Sequence, residues 1–354
     1  MPNIPVEKLH ALTLAIVRAM GSSEQEAREV ADHLVDSNLA GHDSHGVGML
    51  PTYVRLLHEG LLVPNQTLQT VSDAGAVLVL EAARGYGQAM AREAMRRGIA
   101  RAGELGACIV ALRNSAHIGR IGTYAEFCAA AGMASVHFVN VADHQAYQAP
   151  YGCSDARLGT NPVCAAVPGE DGGPALLLDM ATSAIAFGKA RVARNKGVQV
   201  PENSLIDAEG RPTTDPVAMV DEHKGALVAF GLHKGSGLAV MAEILGAALI
   251  GGRTIKDEQK GGVVNSMLSI IIDTRRFGSA ERIAGDIDGV KSWIKASRPA
   301  PGFEEILLPG DPERRSRAAR TSGGVPLDER TLGDILDAGA SLGLERAALE
   351  GLAG

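Results

Sequence analysis

Apolar residues recur along this chain with two different periods, and the change from one to the other marks out its organisation. Between residues 24 and 40, Ala27, Val30, Ala31, Leu34 and Val35 repeat at helical spacing on an otherwise polar segment. Ser23 and Glu26 form an S-x-x-E capping box at its start, and Gly41 is placed to end it. A second helical pattern follows, with Leu50, Val54 and Leu57 on one face, so the first sixty residues read as three helices. Residues 77–80 form a short apolar strand, 87–102 a helix, and 107–112 and 133–141 two further strands. Short apolar runs at 164–167 and 176–178 are bounded by Gly and Pro. Residues 238–250 make a strongly apolar helix, too short to cross a bilayer. Residues 263–272 return to the strand pattern, and the tail from Leu327 is helical.

Helices therefore cluster at the two ends and strands dominate the middle. This predicts an α+β fold in which the terminal segments pack together as one helical layer. The expected division is a helical domain from 1–70 with 290–354 and a sheet-containing cofactor and substrate domain at 71–289. A small subdomain near 115–150 is an optional split. Turns rich in Pro and Gly at 169–174, 212–216 and 299–302 separate the pieces. There is no internal repeat and no low-complexity segment.

Composition narrows the partners. The 354 residues suffice for one large core or two to three domains. Aromatics are only 3%, which argues against base-stacking platforms, and the net charge of −7 with no basic run makes nucleic acid an unlikely partner. No apolar stretch reaches membrane-spanning length, and the segment from Met1 to Leu9 lacks the pattern of a signal peptide. Cys108, Cys128, Cys153 and Cys164 form no C-x-x-C pair, lie in apolar or Gly-rich surroundings, and read as reduced, buried thiols of a cytoplasmic protein.

The chemistry is concentrated in a few polar clusters. In Gly41-His42-Asp43-Ser44-His45-Gly46 a histidine sits at the joint between two helices, with Gly46 allowing close approach. Such a histidine can give or take a proton near neutral pH; the plainer reading is a helix cap or a core residue. Asp179-Met180-Ala181-Thr182-Ser183 follows an apolar run, and can orient a histidine, hold a ribose and phosphate, or cap the next helix. His233-Lys234-Gly235-Ser236-Gly237 precedes the apolar helix and suits an anion or a solvated loop. Arg120, in the segment after the strand at 107–112, is either a clamp for a phosphate or carboxylate or a surface arginine. No histidine pair has metal-ligand spacing, and no metal site is expected.

The usual nicotinamide fingerprint is missing. Gly85-Tyr86-Gly87-Gln88-Ala89-Met90 follows a strand and opens a helix, but Met90 stands where the third glycine is needed. A structural helix start is the better reading. Gly188-Lys189 is followed by Ala190 and lacks the hydroxyl of a Walker loop.

Taken together, these clusters resemble the malate/L-lactate dehydrogenase family of NAD(P)-dependent oxidoreductases, which is distinct from the Rossmann-type lactate and malate dehydrogenases. The landmarks come in family order over nearly the whole chain. They are Ser44-His45-Gly46, Asn114 to Gly122 with Tyr124, Gly159-Thr160-Asn161-Pro162, Asp179 to Ser183 with Gly188-Lys189, Pro212-Thr213-Thr214-Asp215-Pro216, Lys234-Gly235-Ser236-Gly237-Leu238, and Leu308-Pro309-Gly310. The strings at Gly41 to Tyr53 and Ala116 to Gly122 look most like the hydroxycarboxylate dehydrogenase B branch.

The resemblance implies a homodimer, a non-Rossmann cofactor domain on a mainly antiparallel sheet, and hydride transfer between NAD or NADP and a 2-oxo or 2-hydroxy acid. It maps the acid/base group onto His45, with Ser44 and Asp179 as supporting catalytic residues. It places cofactor contacts at His45, Gly119, Arg120, Ile121, Leu178, Asp179, Met180, Ala181, Thr182, Ser183, His233, Lys234, Asn265, Gly310, Asp311, Pro312 and Glu313. Substrate contacts fall on Met49, His117 and Arg120. Two positions depart from the family pattern: Met49 stands where many members carry arginine, and Ser236 where tyrosine is usual. The first points away from malate and toward aryl or apolar side chains. A cyclic imine or N-alkyl imino acid reductase and a non-catalytic dimeric scaffold are the alternative readings.

Overall fold

The sheet is built so that its last strand in sequence lies at its centre. In chain order the strands are β1 (Gln69–Ala74), β2 (Val77–Glu81), β3 (Ala107–Ala116), β4 (Met133–Ala142), β5 (Val163–Pro168), β6 (Pro174–Met180) and β7 (Val264–Asp273). They lie in the order β1-β2-β3-β7-β4-β5-β6. Only β2 and β3 run parallel; the other neighbours are antiparallel, so the sheet is mixed. The computed structural model describes residues 3–222 and 224–353. Met1 and Pro2 of the N-terminal segment, and Gly354 of the tail, therefore lie outside the described residues.

Strand chemistry explains this order. β7 reads Val-Asn-Ser-Met-Leu-Ser-Ile-Ile-Ile-Asp and is buried along nearly its whole length, which suits a strand covered on both faces. β1 reads Gln-Thr-Val-Ser-Asp-Ala, is exposed throughout, and forms a polar edge.

The helices run from α1 (Val6–Ala19), α2 (Glu24–Leu39) and α3 (Leu50–His58) to α4 (Gly87–Leu105) and α5 (Gly122–Ala130). Beyond them lie α6 (Phe187–Lys196), α7 (His233–Glu243), α8 (Ala280–Lys295), α9 (Asp311–Gly323), α10 (Glu329–Ser341) and α11 (Arg346–Ala353). α4 carries the chain from β2 to its parallel neighbour β3. Gly98 lets it lie close on the sheet, since a Cβ there would come within 2.6 Å of Val110 and Ile271.

One hydrophobic core joins Leu9, Leu12 and Ile16 of α1, Leu34 of α2, Met95 of α4, Met267 and Ile271 of β7, and Ile335 and Leu349 near the C-terminus. The chain ends meet directly, Asn3–Ile4 pairing with Val325–Pro326. A second, smaller core gathers Ala190, Ala193, Val200, Leu205, Met219 and Leu227, with Tyr147 packed against it.

Three local expectations need correction. Ser23 Oγ does accept from Glu26 N at 3.3 Å. The return arm of the capping box is absent: the Glu26 carboxylate accepts from Asn65 N, and Ser23 N donates to Asn65 Oδ1 at 2.6 Å. The apolar helix begins earlier than its apolar run, at His233, and continues as a π-helical turn over Ile244–Ala248, so Lys234 lies inside it. Finally, Cys153 is exposed, unlike the three other cysteines, because it sits in a turn outside both cores.

Candidate active site

His45 is held by a stiff joint. α2 ends at Leu39, Gly41 turns the chain at φ +85°, and two 3-10 turns, Asp43–His45 and Val47–Met49, lead into α3. Asn38 spans the joint: Oδ1 accepts from Val47 N at 2.8 Å and Nδ2 donates to Asp43 Oδ1 at 2.7 Å. Gly46 is required here because a Cβ would lie 2.2 Å from Asn38 Oδ1. The close approach that this glycine permits is thus made by the protein itself. Ser44 is exposed and caps neither turn.

The partner of His45 is another histidine. His45 Nδ1 lies 3.2 Å from His117 Nε2, and His117 Nδ1 lies 2.8 Å from Tyr53 Oη, which accepts from Gln88 Nε2 at 2.6 Å. Desolvation lowers the His45 pKa to about 4, while the negative charge of Asp179 pulls it upward. His117 is lowered as well, by burial first and by the neighbouring His45 next. Both rings are therefore neutral near pH 7 in the free protein.

Asp179 does not hydrogen-bond His45. Its Oδ2 accepts from Gly122 N at 2.8 Å, at the start of α5, and lies 3.6 Å from Arg120 Nε. Arg120 is neither a surface arginine nor a free clamp. Its side chain is wholly buried and donates twice to Glu126, at 3.0 and 3.1 Å. Glu126 also binds Arg317, which pairs with Asp36. His33 Nε2 accepts from Arg120 N at 3.0 Å and fills the space left by Gly119, where a Cβ would sit 2.2 Å away. Asn265 is likewise committed: Oδ1 accepts from Ile118 N and Nδ2 donates to the Asn140 carbonyl.

Segments distant in sequence converge around this centre. Leu177 N donates to Pro309 O, bringing the Gly310 loop against β6, next to Leu178 and Asp179. Glu313 lies 3.2 Å from His42, so the same loop reaches the His45 joint. Gly188 lies against Ser44, with 3.4 Å between the Cβ it lacks and the serine Cβ. Phe230 N donates to Thr182 O, and Ser183 bridges to Ala229, which sets His233 and Lys234 beside residues 182–183.

The polar groups at this junction differ in availability. Thr182 is bonded to Thr160 O, while Ser183 Oγ is buried with no partner among the described residues. Lys234 is exposed and makes no ion pair among the described residues. Asp311 is used locally, taking bonds from Lys295, Leu308 N and Arg314, with Pro312 beside it in the first turn of α9. Residues 179–183 do not cap a helix, since α6 starts only at Phe187, after Ala186. Met49 is half-buried and packs against the main core.

The turn at Gly85 to Met90 is filled by protein. It does join a strand to a helix between parallel strands, as a dinucleotide loop would. A Cβ on Gly87, however, would meet the carbonyl oxygens of Ala116 and His117 at 2.4 and 2.5 Å. Those oxygens, not an incoming ligand, require the glycine, and they offer a phosphate only repulsion.

Sequence reasoning missed Tyr53, Gln88, His33 and Glu126. His33 alone left a trace, as a polar residue three positions from Val30 on the buried face of α2. The others act through partners far away in the chain.

The malate/L-lactate dehydrogenase family profile matches residues 4–336. Hydroxycarboxylate dehydrogenase B of Escherichia coli is 47% identical over 348 residues, covering 97% of this chain and 95% of that protein. The solved sulfolactate dehydrogenase of Methanocaldococcus jannaschii superposes with a TM-score of 0.88 at 32% identity, over 98% of this chain and 99% of that one. A Δ1-piperideine-2-carboxylate reductase from Pseudomonas syringae superposes with a TM-score of 0.81 at 27% identity, over 96% and 100%.

Proposed function

The chain belongs to the malate/L-lactate dehydrogenase family, and we propose that it is an NAD(P)-dependent oxidoreductase interconverting a 2-oxo acid and a 2-hydroxy acid. His45 is the acid/base group in this reading. The carrying observation is its placement: a neutral imidazole on a rigid joint, where the Asp179 strand end, Gly188 and the Gly310 loop come together.

The residues fit a dinucleotide. The buried hydroxyl of Ser183 and the ammonium of Lys234, neither with a hydrogen-bond or ion-pair partner among the described residues, suit a ligand that carries both hydroxyls and phosphates. We assign the cofactor seat to Leu178, Asp179, Met180, Ala181, Thr182, Ser183, His233, Lys234 and the loop from Gly310 to Glu313, a non-Rossmann arrangement. Arg120 and Asn265 serve it indirectly, by fixing the backbone at Ile118 to Gly122. When bound, a nicotinamide supplies or takes the hydride.

The protein's part is the proton. Reduction of a carbonyl leaves an alkoxide, to which His45, having first taken up a proton from solvent, delivers that proton and returns to the neutral imidazole; in the reverse direction the neutral ring receives one from the alcohol. Asp179 favours the protonated imidazole that oxidation produces. Ser44, exposed beside Gly188, is placed to meet the substrate. We further propose a homodimer acting in the cytoplasm.

The test is an NADH and NADPH oxidation screen over 2-oxo acids. Turnover with at least one acid is expected. Cofactor binding without turnover on any acid leaves a scaffold. The likeness to the piperideine-carboxylate reductase favours C=N reduction as the second reading, and faster turnover once a primary amine is added to the 2-oxo acid selects it.

A further inference from the structure

The helix that carries Lys234 is tied at both ends to one residue, Thr182. At its start Gly235 lies on Phe230, where a Cβ would come within 2.0 Å of the Phe230 carbonyl oxygen, and Phe230 N donates to Thr182 O at 3.0 Å. At its far end stands Glu243, which is only 6% exposed and plays no part in the proton step. It lies about 14 Å along the helix from Lys234, at a rise of about 1.5 Å per residue. Its carboxylate takes bonds from three neutral donors: Asn161 Nδ2 at 2.9 Å, Ile255 N at 2.8 Å and Asn140 Nδ2 at 3.4 Å. Asn161 leads back to the start. The residue before it, Thr160, accepts at its carbonyl from both Thr182 N at 2.9 Å and Thr182 Oγ1 at 2.8 Å.

We propose that Glu243 and Asn161 are positioning residues that close a frame running from Thr182 through Thr160, Asn161, Glu243, α7 and Phe230 back to Thr182, and so hold Lys234 and Ser183 at a fixed spacing for a dinucleotide. This rests on the assignment of the cofactor seat to residues 178–183 and α7, and adds the groups that set its geometry from outside. Glu243 touches no ligand in this scheme; it acts through Asn161.

Asn161 holds a conformation that needs such support. Its φ is +24°, in the left-handed region that residues other than glycine rarely adopt. It is wholly buried, and its carboxamide is fixed at both ends. Oδ1 accepts from Val141 N at 3.3 Å, while Nδ2 faces two acceptors, Glu243 Oε2 and Ala239 O, the latter at 3.2 Å. Turned round, it would set oxygen against oxygen. Both oxygens of Glu243 face donors, so a glutamine in its place would turn an NH2 toward an N–H and lose a bond inside a buried network. The π-helical turn that follows, Ile244–Ala248, seats Glu243 on β4: a Cβ on Gly246 would lie 2.8 Å from Phe138 O. Gly159 brings the other side of the frame to the same strand, where a Cβ would lie 3.0 Å from Val141 O.

The experiment compares the full chain with its Glu243→Gln variant. Hydrogen exchange without ligand is read by mass spectrometry on fragments holding Val141, Thr182 and Phe230, and NADH and NADPH are then titrated by fluorescence. Glu26→Gln is the matched control: Glu26 is also 6% exposed and holds a distant backbone N–H, that of Asn65, outside the frame. We expect Glu243→Gln to speed exchange in those fragments and to raise the Kd of the tighter-binding dinucleotide about tenfold, the worth of one hydrogen bond. KM for that dinucleotide should change more than kcat. Glu26→Gln should leave both the exchange there and the Kd unmoved. Asn161→Gly removes the same bond while glycine accepts the left-handed φ, and it decides if Glu243→Gln does not fold. Unmoved exchange or an unmoved Kd in the folded variant overturns the proposal, as does an equal rise in Kd with Glu26→Gln. A wild type that binds neither dinucleotide overturns the seat and the role of Glu243 with it. That result is read on the unaltered chain, so the two failures are distinct.

Discussion

The rings of His45 and His117 stack at 5.3 Å between centroids and 15° between planes, and one hydrogen bond joins their facing nitrogens. Two imidazoles in such contact do not both carry charge, because each disfavours the other's protonation. One of them is therefore available for chemistry and the other serves as its support. The open side of His45 and the burial of His117 decide which is which.

The role of His45 is open to direct test. His45→Ala should lower kcat by roughly 10²–10⁴-fold, the worth of positioned acid/base catalysis. The fold should survive, because the joint is held by Asn38, Asp43 and Arg320 and not by the imidazole. Circular dichroism and kcat are measured together. Near wild-type turnover in a folded variant removes His45 from the mechanism.

Acid should destabilise this protein earlier than its carboxylates predict. Burial lowers His33 to about 3 and His137 to about 4 from the ordinary 6.5. Each is thus neutral in the folded state and protonated in the unfolded state between those values. The unfolded chain binds more protons there, so stability rises with pH across the window. Each fully titrating site contributes about 1.4 kcal/mol per pH unit. Glu26, raised by burial, works in the opposite sense, and Glu24, held down to about 2 by its bond from Arg18, stays ionised. Calorimetric Tm should fall from pH 6.5 to pH 4.5. A constant Tm over that interval rules the account out.

The proposed homodimer has a candidate surface. No residue of α8 is buried, and Trp293 on it is 81% exposed, with Val290 and the nearby Phe277 and Phe303 also exposed. An apolar face of this kind on a folded chain marks an interaction surface. Trp293 is the chain's single tryptophan, so its fluorescence should shift to the blue as concentration rises and copies associate. Trp293→Glu should move the sedimentation coefficient from dimer to monomer. A wild-type monomer at micromolar concentration refutes the dimer.

Local signals were legible and long-range pairings were not. The period of Ala27, Val30, Leu34 and Val35 gave α2, and Gly41 gave its end, because both are set by neighbours within one or two turns. His45 could be placed at a joint for the same reason. Arg120 could not be read, since its burial depends on Glu126, Asp36 and Asp179 converging from three separate elements. The support of His45 was hidden in the same way: His117, Tyr53 and Gln88 are each many tens of positions from their partners or lie on different helices. Glu26 shows the intermediate case, where the local motif was present but one arm was taken by a distant backbone group at Asn65.

The last prediction concerns Met49, which follows His45 by one short turn and is half-buried on the way into α3. An arginine there could pair with a second substrate carboxylate through two parallel hydrogen bonds. Methionine offers only a flexible apolar surface. A dicarboxylate such as oxaloacetate then leaves a charge without a partner, which is costly once water is excluded. An aryl or long alkyl 2-oxo acid gains apolar contact instead, at about 25 cal/mol per Å² buried. The packing of Met49 against the main core limits how far it can swing, so the gain depends on the part of the thioether left uncovered. We therefore expect kcat/KM to favour phenylpyruvate over oxaloacetate in the wild type. Met49→Arg should move that ratio toward the dicarboxylate by about tenfold or more, the scale of one charge-assisted hydrogen bond. Both substrates are to be measured in both proteins. A wild-type preference for oxaloacetate, or an unchanged ratio in the variant, would take Met49 out of the substrate pocket.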